Sequence, residues 1–504
     1  MADTKREIER KYESDESGLP DLTGVGGVAA VLDKGLVDLD ATYYDTADER
    51  LAAASLTLRR RTGGSDAGWH LKFPVAPGVR DEIQAPLSDT VPEEIAALVR
   101  SRVRDRALVP LVRLRSARDV RHLVAADGAL LAEASVDTVT AERLTGAAGT
   151  AQWTEIEVEL ADGGDPALLD QLEKRLRAAG VRPSASPSKL ARALEQTAPG
   201  RGRNRRRKKL KPTEPVTAGD HVLAYLRAQR DALVELDPAV RRDIPDSVHR
   251  MRVATRRARS TLRTFTNILD RAVTDSVGAE LKWLAGELGI DRDQEVLADR
   301  LTTALDALPH GLVTGPVRER LTTWAEARHG GAHAHLTGIL DSRRYLTLLD
   351  ALDALLADPP LRKAAGKKPR KALGKAVRKD ERKLTGLVEH ALELPPGEDR
   401  DVALHEARKK AKRTRYAAEA GTEALGAPAR SLTKSMKSLT TLLGDHQDSV
   451  MARRTLRELG AVAHAAGENA FAYGLLYGRE EARAAELEAD LPGRWRKVRT
   501  GVVG

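Results

Sequence analysis

Three short stretches of this chain place charged side chains at alternate positions with apolar residues between them. Glu7, Glu9 and Lys11 form the first, Leu58-Arg59-Arg60-Arg61 the second, and Glu155-Ile156-Glu157-Val158-Glu159-Leu160 the third. A β-strand sends successive side chains to opposite faces, so each stretch has one strongly charged face. The third is the clearest, with three carboxylates on one side and Ile156, Val158 and Leu160 on the other. Since a sheet buries its apolar face, the charges must line a surface groove or the wet lumen of a closed barrel. Carboxylates facing arginines and lysines in such a lumen can hold a divalent metal and a polyanion together, which is the requirement of phosphoryl chemistry.

The elements that position these residues fall into two halves, as 504 residues is too long for one ordinary core. Alternating runs near 5–12, 55–62, 68–74, 80–87, 111–124, 129–139 and 153–160 predict strands, broken by Gly63-Gly64 and Gly163-Gly164. Helical spacing is expected over 24–36, 92–103, 165–179 and 187–196. A Pro-bounded linker over 199–215 separates this first domain (1–198) from a second (216–500). Long Leu/Ala-rich patterns make the second half all-helical.

The linker holds eight of the basic residues against Glu214 alone, so it accounts for +7 of the net charge of +9. The rest of the chain is nearly neutral, and aromatics are only 3%. That balance suits a polyanion partner and gives little support to sequence-specific reading of nucleic acid. There are no cysteines, which excludes disulfides and thiolate zinc sites. The charged opening MADTKREIERKYE shows no secretory signal, and no apolar run reaches the roughly 20 residues that a bilayer span needs. A cytoplasmic protein without a membrane role is expected.

The second half contains an internal repeat. DSVHRMRVATRRARSTL at 246–262 recurs as VALHEARKKAKRTRYAA at 402–418, each followed by Leu-Gly (Leu288-Gly289, Leu443-Gly444) and an aspartate four residues on (Asp293, Asp448). His249, Arg252, Arg256 and Arg259 share their offsets with His405, Arg408, Lys412 and Arg415. At about 100° per residue each set spans about 80° of one helix face. Arg257 and Arg413 flank the stripe, with Lys409 beside it. Two such faces opposed to one another call for an anion between them, with arginine forks suited to phosphate oxygens. A third basic run, Lys371, Lys375, Arg378 and Arg382, either extends that groove or is a solvated face.

Together these residues resemble the pairing of an N-terminal CYTH domain with a CHAD domain. The CYTH resemblance rests on Glu7-x-Glu9-x-Lys11, Tyr43-Tyr44-Asp45-Thr46, Leu58-Arg59-Arg60-Arg61, Trp69-His70-Leu71-Lys72, Arg80-Asp81-Glu82, Asp137, Glu155-x-Glu157-x-Glu159 and Ser188-Lys189-Leu190 in order. The duplicated basic helices are similar to CHAD domains. The resemblance implies an α+β domain built on an eight-stranded antiparallel tunnel barrel with flanking helices, followed by an all-α domain of duplicated helical bundles. It further implies a tunnel that holds a triphosphate with Mg²⁺ or Mn²⁺. Glu7, Glu9, Lys11, Glu157 and Glu159 would be catalytic, and Glu7, Glu9, Asp137, Glu157 and Glu159 would hold metal, with Glu155 on the same face. Lys11, Arg59, Arg61, Lys72, Lys189 and one or both of Arg115 and Arg118 would grip phosphate oxygens.

The expected function is a metal-dependent triphosphatase whose helical half binds inorganic polyphosphate and associates with polyphosphate granules. Its rivals are a non-catalytic polyphosphate-binding protein and a binder of nucleic-acid backbones. A P-loop is excluded by the lack of its Gly-rich motif. Trp153, Trp283, Trp324 and Trp495 read as packing residues, and His221, His310, His329, His333 and His335 show no metal spacing.

Overall fold

The computed structural model describes residues 3–14, 18–146, 149–198 and 214–500, and it divides into two compact units near residue 211. The basic run from Arg201 to Lys211 lies outside the described residues, as do the side chains of Asp293 and His329.

The first unit is a closed antiparallel barrel. Its strands are β1 (Asp3–Glu13), β2 (Ala30–Asp45), β3 (Thr57–Thr62), β4 (Gly68–Ala76), β5 (Val79–Ala85), β6 (Val109–Val124), β7 (Leu130–Arg143) and β8 (Thr150–Leu160), and the two-residue β9 (Arg182–Pro183) adds to β1. Round the barrel the order is β5-β4-β3-β2-β6-β7-β8-β1, closed by pairing of β1 with β5. The N-terminal part of β1 pairs with β5 and its C-terminal part with β8, so one strand seals both edges. The helices of this unit are α1 (Arg50–Ala53), α2 (Glu93–Val103), α3 (Ala167–Ala178) and α4 (Lys189–Gln196).

Hydrophobic burial here runs outward. Ile156, Val158, Ala132 and Ala134 pack against Leu168, Leu169, Leu172 and Leu176 of α3. Leu58, Trp69, Leu71 and Ile83 pack against Ile95, Leu98 and Val99 of α2. Because the apolar faces are covered from outside, period-2 alternation sends the charged faces into the lumen. The expected helix over 24–36 is wrong, since its second half is the start of β2. Gly35 has φ 87 at a register shift between Asp33 and Gly35, and this bulge interrupts the alternation by which the strand would have been read.

Helices α5 (Ala218–Arg241), α6 (Ser247–Thr264), α7 (Arg271–Asp306), α8 (Val317–Asp341), α9 (Arg343–Ala357), α10 (Pro369–Glu393), α11 (Glu398–Ala420), α12 (Thr422–Leu425), α13 (Ala427–Ala465) and α14 (Phe471–Thr500) build the second unit. Among the described residues no helix is long and apolar enough to cross a membrane. The duplication appears as α5-α6-α7 and α10-α11-α13, each packed in chain order, with α6 against α11. The conserved spacing to Leu-Gly within the repeat has a packing cause. A Cβ on Gly289 would meet the Arg252 guanidinium at 2.7 Å, and one on Gly444 would lie 3.7 Å from Arg408. Gly289 lets Arg252 cross the next helix of its repeat closely, while at Gly444 the equivalent Arg408 stands at ordinary contact distance.

Gly63, in the β3–β4 turn, has φ +81, and a Cβ there would collide with the Asp38 carbonyl oxygen. We expect Gly63→Ala to destabilise the barrel by about 2 kcal/mol or more, from backbone strain plus this clash. Denaturant titration followed by tryptophan fluorescence checks it, and an unchanged midpoint would remove this turn from the determinants of barrel closure.

Candidate active site and polyanion face

Strand register arranges the lumen in rows. Glu9 on β1 stands opposite Glu159 on β8, which stands opposite Glu133 on β7. The next row is Lys11, Glu157 and Ser135, and the one after it Glu13, Glu155, Asp137 and Arg118. Directly opposed residues have Cβ atoms about 4.5–5.5 Å apart, so like charges in the first row repel unless a cation lies between them. Across the lumen, Glu82 faces Lys72 and Lys5, while Arg59 and Arg61 descend from β3. Apart from Ser135, Glu13, Glu155 and Asp137, these residues line a cavity of about 850 Å³.

Every expected lumen carboxylate has a basic partner. Glu7 accepts two hydrogen bonds from Lys72 Nζ, at 2.8 and 2.6 Å. Glu9 lies 3.2 Å from Lys11, which also bonds Glu157, and Glu159 accepts from Lys5 at 2.8 Å. Lys189 is the hub: its ammonium lies 2.8 Å from Asp137, 2.8 Å from Glu155 and 2.6 Å from Glu157. It gets there because Ser188 caps α4 by accepting from Ala191 N at 3.1 Å, which starts the helix with Lys189 directed inward. Arg118 completes the cluster with two 2.7 Å bonds to Asp137 and one of 2.7 Å to Glu157.

Burial and charge compete at each group. Burial pushes Glu7 up to about 7 even beside Lys72, helped by Glu82 next to it. At Glu9 burial acts upward too, but Lys11, Lys72 and Arg80 outweigh it and hold the carboxyl low. Burial together with the Arg59 and Arg118 charges pushes Arg61 down to about 9, even with Asp66 against it. Such crowded cations gain when a further anion enters.

The structure separates Arg118 from Arg115 and shows how Asp137 and Glu155 are held. Arg118 faces the lumen, whereas Arg115, three residues away and so on the opposite face, is 61% exposed on the outside with Glu142 at 3.6 Å. Asp137 is fully buried and bound by Arg118 and Lys189, apart from Glu7, Glu9 and Glu159. Glu155 shares that buried corner and accepts from Trp153 Nε1 at 2.6 Å, so Trp153 does more than pack. Residues without an assigned role also enter the cavity: Lys5, Arg80, Glu82, Glu133 and Tyr43. Lys5 and Glu82 carry the same alternation as their assigned neighbours, so the signal was there to use.

The cation fit rests on donor chemistry. Asp137, Glu155 and Glu157 bring carboxylate oxygens within 4.8 Å of one another, but Lys189 already serves them. The Glu9–Glu159–Glu133 row, with Glu7 beside it, is likewise served by Lys11, Lys5 and Lys72, and both sets offer oxygen donors of the kind that Mg²⁺ and Mn²⁺ prefer. The acidic residues present therefore fit such an ion.

In the helical unit, Arg252 and Arg256 of α6 and Arg408, Lys412 and Arg415 of α11 form one basic cluster. His405 accompanies them, its Nδ1 2.6 Å from Gln447, and His249 is exposed at the start of α6. Arg257 is paired instead, with its Nε 2.9 Å from Glu419. Lys409 projects outward and pairs with Glu406. Arg259 and Arg413 open onto a separate cleft of about 360 Å³ that also takes Arg263, Lys282, Lys379 and Lys383. Lys371, Lys375, Arg378 and Arg382 are exposed and outside that cleft, so the third run is a solvated face, and its exposed neighbours Lys379 and Lys383 are the ones that line the cleft.

Comparison with known proteins agrees with this division. Residues 5–194 match the CYTH domain model and residues 224–457 the CHAD domain model. An uncharacterized protein of Mycobacterium tuberculosis is 40% identical over 508 residues, covering 98% of this chain and 96% of the relative. The chain belongs to the CYTH–CHAD family. Among solved structures, PptA from Streptomyces chartreusis (24% identity, TM-score 0.47) aligns with 56% of this chain and 99% of its own length. The CHAD domain from Ricinus communis (24% identity, TM-score 0.44) aligns with 57% of this chain and 93% of its own.

Removing the lysine hub of the CYTH barrel should leave three buried carboxylates with too little positive charge. We expect Lys189→Met to destabilise the barrel by about 3 kcal/mol at pH 7.5. The stranded carboxyls would then have folded-state values raised above the unfolded ones, so the penalty shrinks as pH falls toward 5 and they take up protons. Denaturant midpoints across that range test the sign, and a penalty that grows on acidification would refute the account.

Proposed function

We propose that the CYTH barrel is a metal-dependent hydrolase of inorganic triphosphate or a similarly short triphosphate, and that the CHAD unit binds inorganic polyphosphate. The observation that carries the first reading is the lumen itself, where the acidic row of Glu9, Glu159 and Glu133 adjoins a dense basic wall. Mg²⁺ or Mn²⁺ held by Glu9 and Glu159, with Glu7 and Glu157 beside them, would neutralise phosphate charge and polarise a water. Lys72, Arg59, Arg61, Arg118, Lys11 and Lys189 would grip the phosphate oxygens, exchanging internal carboxylate partners for substrate. Glu7, raised to about 7 by burial, suits a base that takes the water's proton near neutrality. Asp137 and Glu155 act by orienting Arg118 and Lys189 and touch no substrate.

The second reading rests on the basic cluster shared by α6 and α11. Arg408 Nε is buried with no hydrogen-bond partner among the described residues. The aromatic ring in the cluster, Tyr416, is buried beneath the Arg415 guanidinium 4.9 Å away, which leaves it unavailable for stacking a base. Polyphosphate therefore fits better than nucleic acid. A place in the cytoplasm at polyphosphate granules follows from that ligand.

Glu9→Gln should cut Mg²⁺- or Mn²⁺-dependent phosphate release from tripolyphosphate by about 100-fold or more in a protein that circular dichroism shows to be folded. Turnover equal to wild type would sink the assignment, and a wild-type protein that binds polyphosphate without turnover would be a binding protein. Reversing Arg252 and Arg408 to Glu should weaken polyphosphate binding by at least about tenfold. Wild-type affinity should also fall steeply with salt as counterions are released. Binding that survives both changes would place the ligand elsewhere.

A further inference from the structure

The cleft of about 360 Å³ lies in the CHAD unit apart from the central cluster, and three helices supply its charge. Arg259 and Arg263 enter it from α6, Lys282 from α7, and Lys379 and Lys383 from α10. Among the described residues none of these five cations has a carboxylate at ion-pair distance. The two carboxylates that line the cleft are already engaged. Asp275 pairs with Arg271 at 2.8 Å, while Asp380 accepts from the Thr264 hydroxyl at 2.7 Å and lies 3.0 Å from Arg413.

The duplication explains this charge. The stripe of α6 recurs in α11 at a constant offset of 156 residues, from His249 to His405 and from Arg259 to Arg415. The counterpart of Arg257 is therefore Arg413, and that of Arg263 is Glu419. On one side Arg257 Nε donates to the Glu419 carboxylate at 2.9 Å, and Arg415 and the Tyr225 hydroxyl converge on the same group. On the other, Arg413 donates to the backbone carbonyl of Arg263 at 2.6 Å, and the Arg263 side chain is exposed. One repeat thus carries a built-in anion at a position where the other carries a cation. The residues lining the cleft include no aromatic and no large apolar side chain, so a base or an acyl chain has nothing to rest on.

We propose that this cleft is a separate binding site for a short inorganic phosphate chain, of which pyrophosphate is the smallest. Linked phosphate groups present oxygens in several directions from one compact anion, as cations arriving from three helices require. The arginines of α6 offer planar forks to those oxygens, and the lysines act as point charges. The bound anion would do for Arg263 and its neighbours what Glu419 does for Arg257 and Arg415. The inference stands independently of the polyphosphate reading of the central cluster, since Arg252, Arg256, Arg408, Lys412 and Arg415 do not line the cleft.

The test is titration calorimetry of the full chain with pyrophosphate in metal-free buffer at constant salt. Lys282→Glu combined with Lys383→Glu changes two exposed side chains and should remove one bound equivalent of pyrophosphate, or weaken it at least about tenfold. The loss should be the same in an Arg408→Glu background, where the central cluster is impaired. Arg263→Glu puts a carboxylate where the other repeat has Glu419, so it should lose the same equivalent while keeping or raising the melting temperature. Unchanged pyrophosphate stoichiometry and affinity in both cleft variants, each folded by circular dichroism, overturns the proposal. Weakened binding of long-chain polyphosphate with pyrophosphate unaffected would make the cleft the end of the central groove and overturns it as well.

Discussion

A closed barrel that turns its apolar strand faces outward has to balance its charge internally. Lys189 does this for three carboxylates at once, and Arg118, Lys72, Lys11 and Lys5 do it for the rest. Each buried ion would cost several kcal/mol if left unpaired, so the interior is stable only as a network. The same network explains why α4 must begin at Ser188. Moving its first turn by one residue would point Lys189 away and leave Asp137, Glu155 and Glu157 facing one another.

That balance also prepares the lumen for an anion. Its cations are held in place by carboxylates, and the positions are set by strand register. A phosphate that enters trades one set of oxygens for another of similar geometry, with little reorganisation. Arg61, crowded by Arg59 and Arg118, gains from the exchange.

The helical unit solves the opposite problem. Its basic cluster is compensated at the edges through Glu419 on Arg257 and Arg415 and through Asp380 on Arg413 and Lys410. At the centre, two duplicated helices bring Arg252, Arg256, Arg408, Lys412 and Arg415 together in one basic cluster. Hydrophobic packing of the helix backs, as with Met251, Ala254 and Ala258 on α6 and Leu404, Ala407 and Ala411 on α11, provides the stability that offsets this repulsion. The open charge is then available to a ligand.

Period-2 alternation and the repeat of the His-Arg stripe were enough, in the sequence alone, to indicate charged strand faces and a duplicated helical unit, and the order of the motifs, through the resemblance to CYTH domains, implied that the strands close into a barrel. These are local properties: side-chain parity along a strand and angular position on a helix depend only on backbone geometry. The start of β2 was hidden because a bulge at Gly35 breaks the period by which strands are read. Tertiary structure alone decided which cation meets which carboxylate. It separated Arg118 inside from Arg115 outside, drew Asp137 and Glu155 away from Glu7 and Glu9 into the Lys189 corner, and brought Glu133 into line with Glu159 and Glu9. It also parted Arg259 and Arg413 from the central cluster and left Lys412 among arginines. Those outcomes depend on strand register and helix packing between residues far apart in the chain, and the alternation along one strand does not by itself say which residue of its partner strand each side chain will face.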